Sequence, residues 1–330
     1  MTQRTADAWR PARLVATTDL TPDIRLFEIA PDSGFAVPEP GSHIDIAVRI
    51  GERADVRSYS VVGPCRDGLW RIAVKRVPAS RGGSAYLWSL PQGARLTVAP
   101  PANLFPLTRG RAEYLLVAGG IGITPLYGMA LALAEAGAPV RMLYAARSHD
   151  QLALADELGE RLGARLTCYR SDAGERIAFD RAIAELHEAG EMYVCGPIGM
   201  MEAAKQAWAA SGRPSDLLRF ETFGSSGRFP SVPFTVRIPR LGREIAVAAD
   251  ASLLDVLEAA GVGVIADCRR GECGLCALPI LAVEGMVDHR DVFFSEGEKA
   301  ANAKLCTCVS RVWRAGGEAA ITLDTADREM

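Results

Sequence analysis

The chain has 330 residues, 49% of them hydrophobic and 23% charged, and its 37 Lys and Arg nearly balance 40 Asp and Glu for a formal charge of -3. That length exceeds one ordinary domain and fits two or three units, each able to bury a core. The near-neutral balance argues against nucleic acid as a partner, which calls for a strongly basic face. With 8 cysteines, three of them between Cys268 and Cys276, metal binding is the better reading than a disulfide framework.

Residues 1–14 mix charges with small side chains and have no apolar core of a signal, so a cytoplasmic location is expected. From Arg13 to Leu107 the pattern predicts short strands at 24–29, 43–48, 58–62, 69–75 and 95–98, separated by Pro and Gly clusters. Such spacing without long helical periods predicts a small antiparallel β-barrel over residues 1–108. In Arg57-Ser58-Tyr59-Ser60, strand alternation sets Arg57 and Tyr59 on one face and Ser58 and Ser60 on the other. A guanidinium beside an aromatic ring suits a planar ligand bearing a phosphate; an ordinary exposed strand is the competing reading. Arg81-Gly82-Gly83-Ser84 precedes a predicted helix at 85–89 and reads either as an anion site or as a simple glycine turn.

The Arg-x-Tyr-Ser strand followed by Arg-Gly-Gly-Ser resembles the flavin domain of the phthalate dioxygenase reductase family, within the ferredoxin–NADP reductase superfamily. The resemblance implies FMN, with its ring along Arg57, Ser58, Tyr59 and Ser60 and its phosphate at Gly82, Gly83 and Ser84. Ala73, Val74 and Lys75, on the intervening strand, would line the flavin too. FMN rather than FAD follows from the resemblance and from the short segment between Arg81 and Asn103.

Beyond Pro106 strands at 114–118, 140–145, 165–169, 192–195 and 217–220 alternate with helices at 126–136, 151–162, 180–189 and 200–210. This order predicts a five-stranded parallel sheet over 109–225, covered on both faces, with ligands at the carboxyl ends of its strands. Residues 114–134 run 21 positions without a charge, long enough to raise a membrane span, but four glycines and Pro125 favour a buried strand, a tight turn and a helix. Gly119-Gly120-Ile121-Gly122-Ile123-Thr124-Pro125 matches the superfamily's GGxGxTP, which implies that Gly119, Gly120 and Gly122 meet the dinucleotide phosphates and that Thr124 stands beside the flavin. Tyr144-Ala145-Ala146-Arg147-Ser148 resembles the segment that meets the adenosine half, implying contacts from Ala146, Arg147 and Ser148. Cys195-Gly196-Pro197 resembles the motif beside the nicotinamide, although a buried strand cysteine explains Cys195 equally well. Asp172 stands where the family carries its NADH-selecting acid, with Arg170 and Arg176 close by as a counterweight. Phe223 is the candidate ring covering the flavin; a core phenylalanine at a strand end is its plainer reading.

Residues 224–231 are flexible by composition, and 226–233 are taken as a linker. A hairpin at 234–238 and 244–248 and a helix opened by Ser252-Leu253-Leu254-Asp255 lead to the cysteine loop, the β-grasp order of a plant-type ferredoxin domain over 234–330. Cys268, Cys273 and Cys276 have the four-then-two spacing of a two-iron two-sulfur loop, with zinc as the lesser alternative. For the fourth ligand, a ferredoxin-like gap of 29 residues selects Cys306, whereas the family's Cys-Val-Ser-Arg falls on Cys308, which is preferred. Asp267 replaces a small residue of the family and should lower the cluster potential if poorly solvated. Arg269 and Arg270 either meet an acidic partner or are solvated, and His289 reads as a surface or hairpin residue.

The resemblance, five ordered motifs across nearly the whole chain, implies an NADH-dependent reductase with FMN and one 2Fe-2S cluster, monomeric and not membrane-bound. It would serve a terminal Rieske-type oxygenase acting on aromatic or demethylation substrates. Alternatives are a haem-thiolate monooxygenase or another iron–sulfur protein as acceptor, and a redox-sensing electron-carrier module.

Overall fold

The computed structural model describes residues 9–32, 36–51, 53–77, 82–223 and 227–325. Arg81 and linker residues 224–226 lie outside the described residues. The chain divides into two compact units, 2–221 and 222–330.

The first unit opens with strands β1 (Arg10–Thr21), β2 (Ile24–Pro31), β3 (Ser42–Ile50), β4 (Arg53–Ser60), β5 (Trp70–Lys75), β6 (Arg95–Val98) and β7 (Ala102–Asn103), and helix α1 (Gly83–Ser89). They lie in the order β4-β3-β6-β1-β2-β5, with β7 beside β3. Val61 bridges Ile72 and the Val62 N–H donates to the Arg71 carbonyl at 2.7 Å, closing the path into the expected barrel. Leu14, Ile44, Ile46, Ile72 and Val98 fill its interior, fully buried. Strand β1, central in the sheet, is absent from the sequence reading because register shifts at Leu14/Ala16 and Asp19/Thr21 break its two-residue alternation.

The same unit continues with β8 (Tyr114–Gly119), α2 (Ile123–Glu135), β9 (Val140–Ala146), α3 (Ala155–Leu162), β10 (Leu166–Arg170), α4 (Phe179–Ala184), β11 (Glu191–Cys195), α5 (Ile198–Ala210) and β12 (Leu218–Glu221). All five strands run parallel in the order β10-β9-β8-β11-β12. The charge-free run becomes β8, a tight turn and α2: β8 is buried at every position, as a central parallel strand must be. Among the described residues no helix is long and apolar enough to cross a membrane.

In the second unit β13 (Phe234–Ile238) and β14 (Arg243–Val247) form the expected hairpin. Helix α6 (Leu253–Ala259) opens where the Ser252 hydroxyl accepts the Asp255 N–H at 3.0 Å, and it buries Leu253, Leu254 and Leu257. Strands β15 (Ala277–Glu284), β17 (Lys304–Cys306) and β19 (Ala320–Leu323) complete a mixed sheet, β14-β13-β19-β15-β17; β16 (Met286–Asp288) pairs separately with β18 (Arg311–Trp313), and α7 (Glu296–Ala301) precedes β17.

Residues 227–231 depart from their flexible composition. The buried Arg290 guanidinium binds Asp288 at 2.7 Å and donates to the Phe229 carbonyl and the Ser231 hydroxyl at 3.0 Å each. Asp288 also accepts the Arg228 N–H at 2.9 Å, and Phe229 stacks on Trp313 at 4.5 Å. A charged pair and an aromatic stack from distant sequence outweigh local glycine and serine content. His289, read as a surface or hairpin residue, directly follows the paired strand β16 and is buried, its Nε2 3.0 Å from the Asn302 side-chain oxygen.

Candidate redox site

The barrel brings its two flavin motifs together. A Cβ on Gly83 would lie 2.7 Å from the Arg57 Cγ and Nε, so only glycine lets α1 settle on the arginine stem. Arg57 pairs with Asp55 at 2.8 Å, and the Ser58 hydroxyl donates to Asp45 at 2.6 Å on the opposite face. Burial pushes the Tyr59 phenol well above its ordinary range, with Arg57 opposing; the ring is neutral and packs on the barrel core. Ser60 is buried, and the Ser84 hydroxyl accepts the Val77 N–H at 3.3 Å. The result is a polar cradle of arginine, glycine amides and hydroxyls beside an aromatic ring, a donor set that fits a phosphorylated planar ligand. On β5 the three expected residues separate. Ala73 is buried outside the barrel core, Lys75 pairs with Asp23 at 3.2 Å, and Val74 turns into the barrel while its carbonyl accepts the Trp88 indole N–H at 3.0 Å.

Strand β5 lies against the turn Gly120–Gly122, so the flavin strand and the dinucleotide turn are neighbours within one unit. At this turn a Cβ on Gly122 would stand 2.1 Å from the Cys195 carbonyl oxygen, and one on Gly119 would meet the Pro197 ring at 2.6 Å. Glycine is therefore what allows the ends of β8 and β11 to touch. Thr124 is buried and its hydroxyl donates to the Ile121 carbonyl at 3.0 Å; Cys195 is fully buried on β11, between Ala118 and Glu221. The Tyr144 hydroxyl donates to the Gly120 carbonyl at 3.3 Å, a brace on the turn that strand periodicity alone did not single out.

At the ends of β9 and β10 the adenosine-side residues converge. Asp172 donates its N–H to the Arg147 carbonyl at 2.9 Å, Ser171 donates to Ala146 at 3.0 Å, and the Ser148 hydroxyl binds Asp150. Arg170, the possible phosphate ligand, is ion-paired to Glu175 at 2.9 Å. Glu175 was missed; its signal is an opposite charge five residues on, across a tight turn. Phe223 is half-buried and belongs to the second unit, next to Thr222, whose N–H donates to Glu272 at 3.0 Å.

In the cysteine loop the Cys268 sulfur accepts the N–H groups of Arg270, Glu272 and Cys273 at 3.5, 3.4 and 3.4 Å, an arrangement suited to a thiolate. Among the described residues no three His, Cys, Asp or Glu side chains gather as a site for a single metal ion. The thiols form a wider set: Cys276, Cys306 and Cys308 are buried together with Phe294 and Val309, while Cys268 and Cys273 are half-buried. Cys308 feels Cys276 and Cys268, and Cys306 feels Cys276, Cys308 and the Asp291 carboxylate. The neighbouring Cys306 and Cys308 thiols hold the Cys276 thiol far below its ordinary value; Cys276 in turn pushes both of them up, and burial adds to it. Several soft donors close together, one of them wrapped by loop amides, fit an iron–sulfur cluster. The buried Asp291 accepts the Phe294 N–H at 3.0 Å and the Ser310 hydroxyl at 3.3 Å, and Val292 donates to the Gly271 carbonyl at 3.0 Å, bracing the loop from behind. Glu272 inside the loop was also missed: burial pushes its carboxyl up, with Arg270 at 3.1 Å opposing.

A barrel with a phosphate cradle, a parallel sheet with a dinucleotide turn and a cysteine-looped β-grasp unit define an NAD-linked iron–sulfur flavoprotein oxidoreductase. Comparison with known proteins agrees: residues 116–206 match an oxidoreductase NAD-binding domain and residues 236–312 a 2Fe-2S iron-sulfur cluster binding domain. The beta subunit of a heme-dependent oxidative N-demethylase from Ectopseudomonas mendocina is 39% identical over 306 residues, covering 91% of this chain and 94% of that one. Phthalate dioxygenase reductase from Burkholderia cepacia is 32% identical over 324 residues, covering 94% and 97%. A solved structure of phthalate dioxygenase reductase superposes with a TM-score of 0.73 at 30% identity, over 96% of this chain and 98% of that one. The chain belongs to the phthalate dioxygenase reductase family, and its redox groups are NADH, FMN and a 2Fe-2S cluster.

Proposed function

We propose that this chain is the reductase component of a two-protein oxygenase system, drawing reducing equivalents from NADH and delivering single electrons to a Rieske-type terminal oxygenase. It would work as a monomer in the cytoplasm, in three parts: a flavin part at 1–108, a dinucleotide part at 109–225, and a cluster part at 234–330 joined through 226–233. The observation that carries the reading is the contact of β5 with the Gly120–Gly122 turn, in the unit that also holds Arg57, Gly83 and Cys195.

Arg57, Tyr59 and Gly82 to Ser84 would hold FMN, and Thr124 and Cys195-Gly196-Pro197 would shape the space for nicotinamide. Cys268, Cys273, Cys276 and Cys308 would hold the cluster; the local sequence Cys308-Val309-Ser310-Arg311 favours Cys308 over Cys306, which is buried in the same cluster. Bound FMN accepts a hydride's electron pair and the cluster passes electrons on singly. What the protein's own groups do is orient, exclude water and set charge. At the adenosine end, the Asp172 carboxylate favours a free ribose 2′-hydroxyl and repels a 2′-phosphate.

Replacing Cys308 by Ser should cut iron from about two per chain to near zero and remove the cluster's electron paramagnetic resonance signal, while NADH still bleaches the flavin. If Cys306→Ser does this and Cys308→Ser does not, the ligand assignment is wrong. A second reading, a haem protein as acceptor, is favoured by one relative, 39% identical, a heme-dependent oxidative N-demethylase beta subunit. NADH-driven reduction of a purified Rieske oxygenase against a haem oxygenase decides between the two.

A further inference from the structure

Arg147 follows the carboxyl end of β9, and Arg170 and Arg176 stand at and just past that of β10, with Asp172 and Glu175 between them. By count alone three cations suit a ribose 2′-phosphate, which would contradict the NADH reading. The geometry resolves the conflict. Arg170 gives Nη2 to Glu175 Oε1 at 2.9 Å and Nε to Oε2 at 3.4 Å, and its backbone N–H also donates to Oε2, at 2.6 Å. The Glu175 N–H returns to the Arg170 carbonyl at 3.0 Å, so one carboxylate locks both the side chain and the backbone of the arginine. Arg176 is spent likewise, donating Nη1 to the carbonyls of Ser171 at 3.1 Å and Glu175 at 2.7 Å.

We infer that Glu175 is a specificity-determining residue, holding the Arg170 guanidinium within the turn and so withholding from the adenine ribose one of the cations that a 2′-phosphate would draw on. The inference rests on the NADH preference proposed above and supplies a second cause for it besides Asp172. The two side chains are 44% and 37% exposed, so water weakens their bond, and its effect is on the ratio between two cofactors rather than on hydride transfer itself.

The test uses the full-length flavin- and cluster-loaded protein and two probes, 5′-AMP and 2′,5′-ADP, as competitive inhibitors of NADH oxidation, together with kcat/KM for NADH and NADPH. Glu175→Ala should tighten 2′,5′-ADP and raise the NADPH:NADH ratio by about threefold to tenfold, with 5′-AMP binding unchanged. Adding Arg170→Ala should erase that gain. An unchanged ratio in Glu175→Ala, or a gain that survives the loss of Arg170, overturns the inference. If 5′-AMP binding also weakens, the turn has collapsed, and Glu175→Gln, which keeps the acceptor oxygen but not the charge, decides by the same ratio. Wild-type protein preferring NADPH would instead sink the NADH reading itself.

Discussion

The glycine turn at Gly119–Pro125 and the cysteine loop at Cys268–Cys276 are both proposed to approach a redox group, and they are built differently. The turn sits between a strand and a helix, and its shape follows from what is missing: no Cβ at Gly122, where the Cys195 carbonyl needs the room. The loop has no regular structure and depends on what other segments supply, above all the buried Asp291 and the amides that face Cys268. A site on regular elements inherits their rigidity; one on a loop must be braced by side chains from elsewhere.

That contrast can be broken by substitution. The largest effect is expected from Gly122→Ala, which forces backbone apart at the junction of β8 and β11. Flavin reduction by NADH, followed by stopped flow, should slow about 100-fold, as misplacement by an ångström does, while the cluster spectrum stays intact. Next, Arg290→Met leaves Asp288 buried without its cation and should destabilise the second unit by about 3–5 kcal/mol in urea unfolding, with Asp288→Asn added on top restoring part of the loss. A loss below 1 kcal/mol would mean that residues 227–231 are held by the Phe229–Trp313 stack alone.

Asp291 offers a pH-dependent version. Burial raises its carboxyl, but the His289 imidazole 3.6 Å away and the Phe294 N–H outweigh burial and hold it below the ordinary aspartate value. A depressed folded value means stability that is present above the unfolded pKa of about 4 and lost as acid carries the pH down through the folded one. Wild-type unfolding should therefore steepen below about pH 4, and Asp291→Asn should flatten that part of the profile. The smallest effect is at the α6 cap, where Ser252→Ala should cost about 1 kcal/mol without touching either site.

Much of the architecture was legible because it repeats local rules. The parallel strands are continuous apolar runs, and the β13–β14 hairpin and the Ser252 cap announce themselves through alternation and a hydroxyl at the right offset. Strand β1 was not legible, since two register shifts scramble its period. Pinning of residues 227–231 was hidden too, because Arg290 lies about sixty positions downstream and no window contains both partners. Motif spacing pointed to the cysteine loop and the glycine turn, but not to Tyr144, Glu175 or Glu272, whose parts depend on what the fold sets opposite them.

The turn after β10 has a bearing on solubility as well. β10 is an edge strand of five residues, and an open edge is a template on which another chain can add. At its last residue both backbone groups are already taken, the Arg170 N–H by the Glu175 carboxylate and the Arg170 carbonyl by the Glu175 N–H. The folded-back turn closes the end of that edge with a charged side chain, a guard against strand-to-strand aggregation built from the same acid.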